Sequence, residues 1–223
     1  HRDEPVFDGQ FSNQCYQDAV EEAFRDFRTK AEIDGRWDPE GGTVLTEDWA
    51  RIIMHLPYAF QAKRMFPAVF AYERRGSASW DDVELEIGLP PNVADFDDTP
   101  DGQAEHMKAL DAHRRRISKT QAYRDFHAER IEKGQRASSL IGNQYTGSIF
   151  LAMMSTFESD YEADSPLDNR QFGLCGYGSG AKAKVFEGVV SNRWREVVAG
   201  WNLFERMAGR MAIDQVTYEE LHK

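Results

Sequence analysis

Three short stretches carry side chains suited to acyl chemistry: Met54-His55-Leu56-Pro57-Tyr58, Gly142-Asn143-Gln144-Tyr145-Thr146-Gly147-Ser148 and Gly176-Tyr177-Gly178-Ser179-Gly180. His55 ends the apolar run Ile52-Ile53-Met54, and Pro57 suits the first turn of a following helix, where its missing N–H costs nothing. That setting predicts an imidazole near a helix N-terminus, whose partial positive charge favours the neutral ring at pH 7. A neutral histidine can act as base or hydrogen-bond to a carbonyl oxygen. Asn143 can donate its amide to an oxyanion or thioester oxygen, with Gly142 and Gly147 permitting close approach. The same side chain can instead cap a helix starting at Tyr145 or Thr146. The third stretch reads as a tight hairpin turn in which the Ser179 hydroxyl and nearby amides can hold a carbonyl or carboxylate. Its Gly-x-Gly-x-Gly spacing is followed by strand rather than helix, so it is not a dinucleotide fingerprint, and it lacks the Lys-Ser/Thr pair of a P-loop.

Other chemistries find less support. His106 and His113 stand seven apart on a polar helix, and no zinc-ligand spacing appears, so no metal is expected. Cys15 lies on an apolar helix face and reads as a buried structural thiol. Nothing near Cys175 would lower its pKa, so neither cysteine is expected to be a nucleophile.

The chain has 223 residues, 41% of them hydrophobic, which is enough for a sizeable core. With 27 basic and 38 acidic residues its net charge is −11. That argues against nucleic acid or a membrane surface as partner, and requires a local cationic patch for any anionic substrate. No apolar run approaches the ~20 residues of a membrane span and no signal peptide is apparent. Two cysteines fit a reducing cytoplasm. The start, His1-Arg2-Asp3-Glu4, has no initiator methionine and reads as a piece of a longer protein.

The elements that must position these residues follow from periodicity and breakers. Ser12 is expected to cap a helix whose apolar face carries Cys15, Ala19, Ala23 and Phe27. Thr46-Glu47-Asp48 reads as a second helix start, and Pro57 as a third, with Pro67 kinking or dividing the latter. Gly76 to Gly102 is crowded with carboxylates around Pro90-Pro91 and Pro100 and reads as a solvated acidic insertion. Residues 103–134 read as long helical structure, and Ile149 to Met154 as a buried helix. Phe172–Tyr177 and Ala183–Val189 read as two strands joined at the glycine turn, before an amphipathic segment through Trp194, Val197, Val198, Trp201 and Phe204. The whole is a mixed α/β chain around a buried sheet.

Taken in order, Phe7-Asp8-Gly9-Gln10-Phe11-Ser12-Asn13-Gln14-Cys15-Tyr16, His55-Leu56-Pro57-Tyr58, the Asn143 stretch and Tyr177-Gly178-Ser179-Gly180 resemble the C-terminal half of 3-hydroxy-3-methylglutaryl-CoA synthase, in the thiolase superfamily. The resemblance spans most of the chain except the acidic insertion and the last twenty residues or so, and makes residues 1–223 a C-terminal domain. It implies a thiolase-like α/β fold, with a mixed sheet packed between helices. It also implies condensation of acetyl-CoA with acetoacetyl-CoA and water, giving 3-hydroxy-3-methylglutaryl-CoA and CoA in the mevalonate pathway. The cysteine nucleophile and a glutamate would belong to an N-terminal half, so the chain alone is expected to be inactive. His55 matches the family's catalytic histidine, and Asn143, Ser179, Pro57 and Tyr145 fall at substrate-binding positions. Related enzymes commonly carry a lysine five residues after the histidine; here it is Phe60, which leaves Lys63 and Arg64 as the expected contacts to coenzyme A phosphates. The expected substrates are CoA thioesters, without a cofactor, and the expected partners are the N-terminal half and a second copy in a cytoplasmic homodimer. Two other readings are a β-branching synthase acting on carrier-protein-bound β-ketoacyl groups, suggested by Phe60, and a non-catalytic partner subunit.

Overall fold

The computed structural model describes residues 8–38, 44–178 and 180–222. Its helices are α1 (Gly9–Ile33), α2 (Gln61–Arg74), α3 (Ala78–Ile87), α4 (Pro100–Ile117), α5 (Gln121–Arg130), α6 (Glu132–Ile141), α7 (Ser148–Glu162), α8 (Trp194–Val198), α9 (Leu203–Ala208) and α10 (Gln215–Leu221). Three strands, β1 (Arg51–Met54), β2 (Gln171–Gly178) and β3 (Lys182–Val189), form one mixed sheet in the order β1-β2-β3. The β1–β2 pair is parallel, with Arg51 opposite Phe172 and Met54 opposite Cys175. The β2–β3 pair is an antiparallel hairpin, Gly178 facing Lys182 across the glycine turn.

Alternation along β2 assigns a helix to each face of this sheet. Phe172 stacks on Phe157 of α7 at 5.1 Å between ring centroids, whereas Tyr177 meets Tyr16 of α1 at 4.7 Å. Gly173, on the α1 face, must be glycine: an added Cβ would lie 2.0 Å from the ring of Trp49. Trp49 is fully buried among Phe24, Phe27 and Gly173, and its indole N–H donates to Glu187 Oε1 at 2.7 Å. The mixed sheet packed between helices is thus present. An aromatic cluster of Phe66, Phe70, Tyr123 and Phe126 joins α2 to α5 beside it.

Several expectations change in detail. Helix α1 is capped by Asp8, whose Oδ1 accepts from the Phe11 N–H at 3.0 Å, so Ser12 lies inside the helix. Its buried face is Tyr16, Val20, Phe24, Phe27 and Ala31; Cys15, Ala19 and Ala23 sit at the margin, half-buried. Leu45–Glu47 is a single 3-10 turn and not a second α-helix; the Thr46 N–H donates to buried Glu73. Pro67 does not divide α2, which runs unbroken from Gln61 to Arg74. The Lys63 carbonyl it leaves without a helical donor accepts from the Tyr123 hydroxyl at 3.2 Å instead, which offsets the lost bond.

The acidic stretch is not wholly solvated. Its α3 buries Trp80, Val83 and Ile87 at helical spacing, with its carboxylates toward the surface. The helical run after it breaks at Thr120, whose hydroxyl accepts from the Tyr123 N–H and so caps α5. Helix α7 is not buried all round, since Phe150 is exposed. Its Glu158 accepts from the backbone N–H groups of Leu203 and Phe204, capping α9. Among the described residues no helix is long and apolar enough to cross a membrane.

Candidate active site at the carboxyl end of the sheet

Strand β1 is apolar and buried after its first residue, and His55 follows it directly. The His55 N–H donates to the Cys175 carbonyl at 2.9 Å, which extends the parallel ladder by one bond beyond Met54. The His55 carbonyl accepts from the buried Tyr16 hydroxyl at 2.6 Å. Both backbone polar groups are therefore fixed by the fold, and the ring stands 6.0 Å from that of Tyr177 between centroids. Pro57 does not open α2: it lies in a bend, and the helix begins at Gln61. The neutral imidazole has another cause, because burial itself lowers the His55 pKa below its ordinary value by penalising the charged ring.

The Asn143 stretch lies at the same end of the sheet. Arg51, at the start of β1, is bidentate to Asp160 near the end of α7, at 2.8 and 2.6 Å. Helix α7 therefore runs antiparallel to β1 and brings its first residue, Ser148, to the level where β1 ends. Ile149 confirms the level, its Cδ1 lying 3.9 Å from where a Cβ on Gly176 would be. The β2–β3 turn belongs to this end by register. Ser179 itself is outside the described residues. The ends of parallel strands are where open α/β sheets place ligands.

Within its loop Asn143 does what a capping residue does. Its Oδ1 accepts from the Tyr145 N–H at 2.7 Å and from the Ser148 hydroxyl at 3.3 Å. Ser148 Oγ in turn accepts from the Gln144 N–H at 3.1 Å. The Asn143 oxygen is engaged twice while the residue is exposed and no described residue bonds its Nδ2, so capping and donating to a ligand are compatible. Tyr145 is exposed and has φ 48°, a left-handed conformation that a non-glycine residue keeps only when its surroundings hold it. Gly142, at φ 79°, supplies the turn before it.

Next to Tyr58, a cleft of about 620 Å³ opens between α1, the start of α2 and the end of α4. Lys63 and Arg64 line it, and Arg64 donates to the Tyr58 hydroxyl at 3.3 Å. Arg114 and Arg115 line it as well. The sequence reading missed these two, because only the packing of α4 brings residues fifty positions downstream to the α2 N-terminus. It missed Tyr16 for the same reason.

Both thiol expectations can be compared with the geometry. Cys175 is fully buried in β2, and burial pushes its thiol up to about 12, far from a nucleophile at neutral pH. Cys15 is half-buried. Among the described residues no group of three or more His, Cys, Asp or Glu is placed to hold a metal ion.

Residues 2–223 match the family described as hydroxymethylglutaryl-coenzyme A synthase C terminal. The chain belongs to that family. It is 28% identical over 218 residues to the hydroxymethylglutaryl-CoA synthase of Haloferax volcanii, covering 98% of this chain and 46% of that protein. The enzyme of Saccharomyces cerevisiae is 22% identical over 96% of this chain and 41% of its own length. The chain thus spans less than half the length of these curated relatives. Among solved structures, MvaS in complex with 3-hydroxy-3-methylglutaryl coenzyme A aligns over all of this chain and 45% of its own, with a TM-score of 0.68 and 26% identity. The Curacin pathway HMG synthase in complex with holo donor-ACP shares the fold at a TM-score of 0.62 and 19% identity, over 99% of this chain and 41% of its own. The α/β architecture is accordingly the thiolase-like fold of hydroxymethylglutaryl-CoA synthases.

Proposed function

We propose that this chain is the C-terminal, acceptor-binding portion of a hydroxymethylglutaryl-CoA synthase of the mevalonate pathway. The whole enzyme condenses acetyl-CoA with acetoacetyl-CoA and water to give 3-hydroxy-3-methylglutaryl-CoA and free CoA. The cysteine that carries the acetyl group and the glutamate that assists carbanion formation lie in sequence outside this chain. The carbanion carbon bonds to the ketone carbon of the acceptor, whose oxygen takes a proton; water then cleaves the thioester to the cysteine.

In this reading neutral His55 hydrogen-bonds the acceptor and supports the developing charge on its ketone oxygen. Asn143 and Ser179 hold the acyl carbonyls, with Pro57 and Tyr145 shaping the walls around them. Lys63 and Arg64 face the phosphates of the bound thioester, and the complete enzyme works as a cytoplasmic homodimer without a cofactor. The observation that carries the proposal is the convergence of His55, the Asn143 loop and the β2–β3 turn at one end of the sheet, beside the cationic cleft. Assay of acetoacetyl-CoA consumption tests it. The chain alone is expected to be inactive, and mixing with a separately produced N-terminal portion is expected to give turnover. Turnover by the chain alone would overturn the proposal.

Phe60 supports a second reading, with a carrier-protein-bound β-ketoacyl group as acceptor. The side chain is 61% exposed where related enzymes commonly carry a phosphate-reaching lysine. Acetoacetyl-CoA and acetoacetyl-carrier protein compared as acceptors of the reunited portions separate the two.

A further inference from the structure

Helices α6 and α7 form a hairpin whose tip is the Asn143 loop, with Ile141 at the end of α6 and Leu151 in the first turn of α7. Residues 142–147 are all exposed, so no core packing fixes them directly. The segments on either side of the loop are gripped instead by α9. Its Phe204 and Met207 form a buried cluster with Ala137 of α6 and Leu151 of α7, separate from the main core, and Ile141 packs against it. At its start α9 is tied to α7, where the Glu158 carboxylate accepts from the Leu203 and Phe204 N–H groups at 2.8 and 3.0 Å. Beyond its end, Arg210 donates through Nε to the Met207 carbonyl at 2.9 Å and through Nη1 to the Leu140 carbonyl at 3.0 Å. Leu140 is the penultimate residue of α6, where carbonyls lack a helical donor and a cation suits the negative end of the helix dipole.

A loop this exposed, with Gly142 at φ 79° and Tyr145 at φ 48°, keeps one shape only if both its ends are held. Asn143 Oδ1 and Ser148 Oγ tie it internally, and α9 joins its two ends from outside. We propose that α9 and Arg210 act as a clasp on the α6–α7 hairpin, with Arg210 a positioning residue for the Asn143 amide in acceptor binding. The inference rests on the reading of Asn143 as an acyl-binding residue, and adds to it a residue from the last turns of the chain. Arg210 itself need not touch substrate. With the Leu140 carbonyl left to water, the last turn of α6 loosens and the loop spends less time in its binding shape. Apparent affinity then falls with the competent fraction, while the chemistry of a seated acceptor keeps its rate. Phe204 and Met207 serve both the clasp and the packing of α9, whereas Arg210 is exposed, so its loss separates positioning from folding.

Arg210→Met is the test, read in two ways. In the isotope-labelled chain, solvent exchange of the Tyr145 N–H, which donates to Asn143 Oδ1, is expected to quicken about fivefold, with the urea unfolding midpoint unchanged. In the reunited portions, KM for acetoacetyl-CoA is expected to rise by about the same factor, with kcat within about twofold. Added to Asn143→Ala, the same substitution is expected to raise KM no further, because the group it positions is gone. Arg210→Lys, which keeps the charge and can reach one carbonyl, is expected to lie between. Arg206→Met, the same charge loss at an exposed position of α9, is expected to leave both readouts unchanged. An unchanged Tyr145 exchange rate, or a KM effect that persists undiminished beside Asn143→Ala, would overturn the inference. If the reunited portions of the unaltered protein show no turnover, the synthase reading falls, and the Tyr145 exchange rate alone decides the clasp.

Discussion

At the start of β1, Asp160 has no exposed surface and is held by Arg51, Lys133 and Ser165; at the end of the same strand, His55 is buried with only its backbone groups hydrogen-bonded among the described residues. Burial alone would raise the Asp160 pKa, but those hydrogen bonds win and hold the carboxyl below its usual range. At His55 burial meets no such opposition, and the ring is held neutral. Helix α7 connects the two ends, with Asp160 near its last turn and the Asn143 loop ahead of its first. Satisfied polar groups make an anchor, and unspent ones make a place for a ligand.

Removing the anchor is expected to have the largest effect. Asp160→Ala leaves Arg51 and Lys133 facing a site with no counter-charge, and is expected to cost about 3–5 kcal/mol in urea unfolding. A loss below 1 kcal/mol would mean that α7 is positioned by its packing alone. His55→Ala leaves the ladder bond and the Tyr16 contact to the backbone intact. It is expected to lower turnover of the reunited portions by roughly 100-fold or more, with little change in unfolding. If the two variants affected stability equally, the contrast between the ends would be wrong.

Acid should separate the same groups. The folded-state pKa values of His55, His113 and His127 are lowered, chiefly by burial, with Lys63 assisting at His127, where the value falls to about 4. The unfolded chain thus binds more protons below about 6.5, and stability is expected to fall as pH drops from that value. Asp160 is shifted in the same direction as a carboxyl, so its contribution is present above about 3.9 and lost as pH falls below it. His127→Gln is expected to flatten the first decline and leave the second in place, as read by unfolding at several pH values. The smallest change is Tyr16→Phe, which deletes the bond to the His55 carbonyl and is expected to cost about 1 kcal/mol.

How much of this was legible in the sequence varies with the range of the interactions involved. Helix α7 and the β2–β3 hairpin follow from short apolar runs and glycine turns, and the capping role of Asn143 from its own local chemistry. The run Ile52-Ile53-Met54 was legible as apolar but too short to be told as a strand without its pairing to β2. Helix α3 was hidden because Asp81, Asp82 and Glu86 dominate its composition, although Trp80, Val83 and Ile87 keep the helical period. Pro67 broke a local rule because a distant hydroxyl, on Tyr123, supplied the missing donor. For the site, His55, Lys63 and Arg64 could be named from motif and charge. The cause of the neutral imidazole could not, since Pro57 suggested a helix terminus where the fold supplies burial. Arg114, Arg115 and Tyr16 reach this region only because α4 and α1 meet the start of α2 and the end of β1 in space.

The most direct test of the central claim is isotope-edited NMR of the chain as acetoacetyl-CoA is added, following histidine ring and side-chain amide signals. Ligand at the carboxyl end of the sheet predicts shifts at His55 and Asn143, with His113 and the Arg51–Asp160 anchor unmoved. Saturable shifts confined to the anchor end, with His55 and Asn143 silent, would contradict the account.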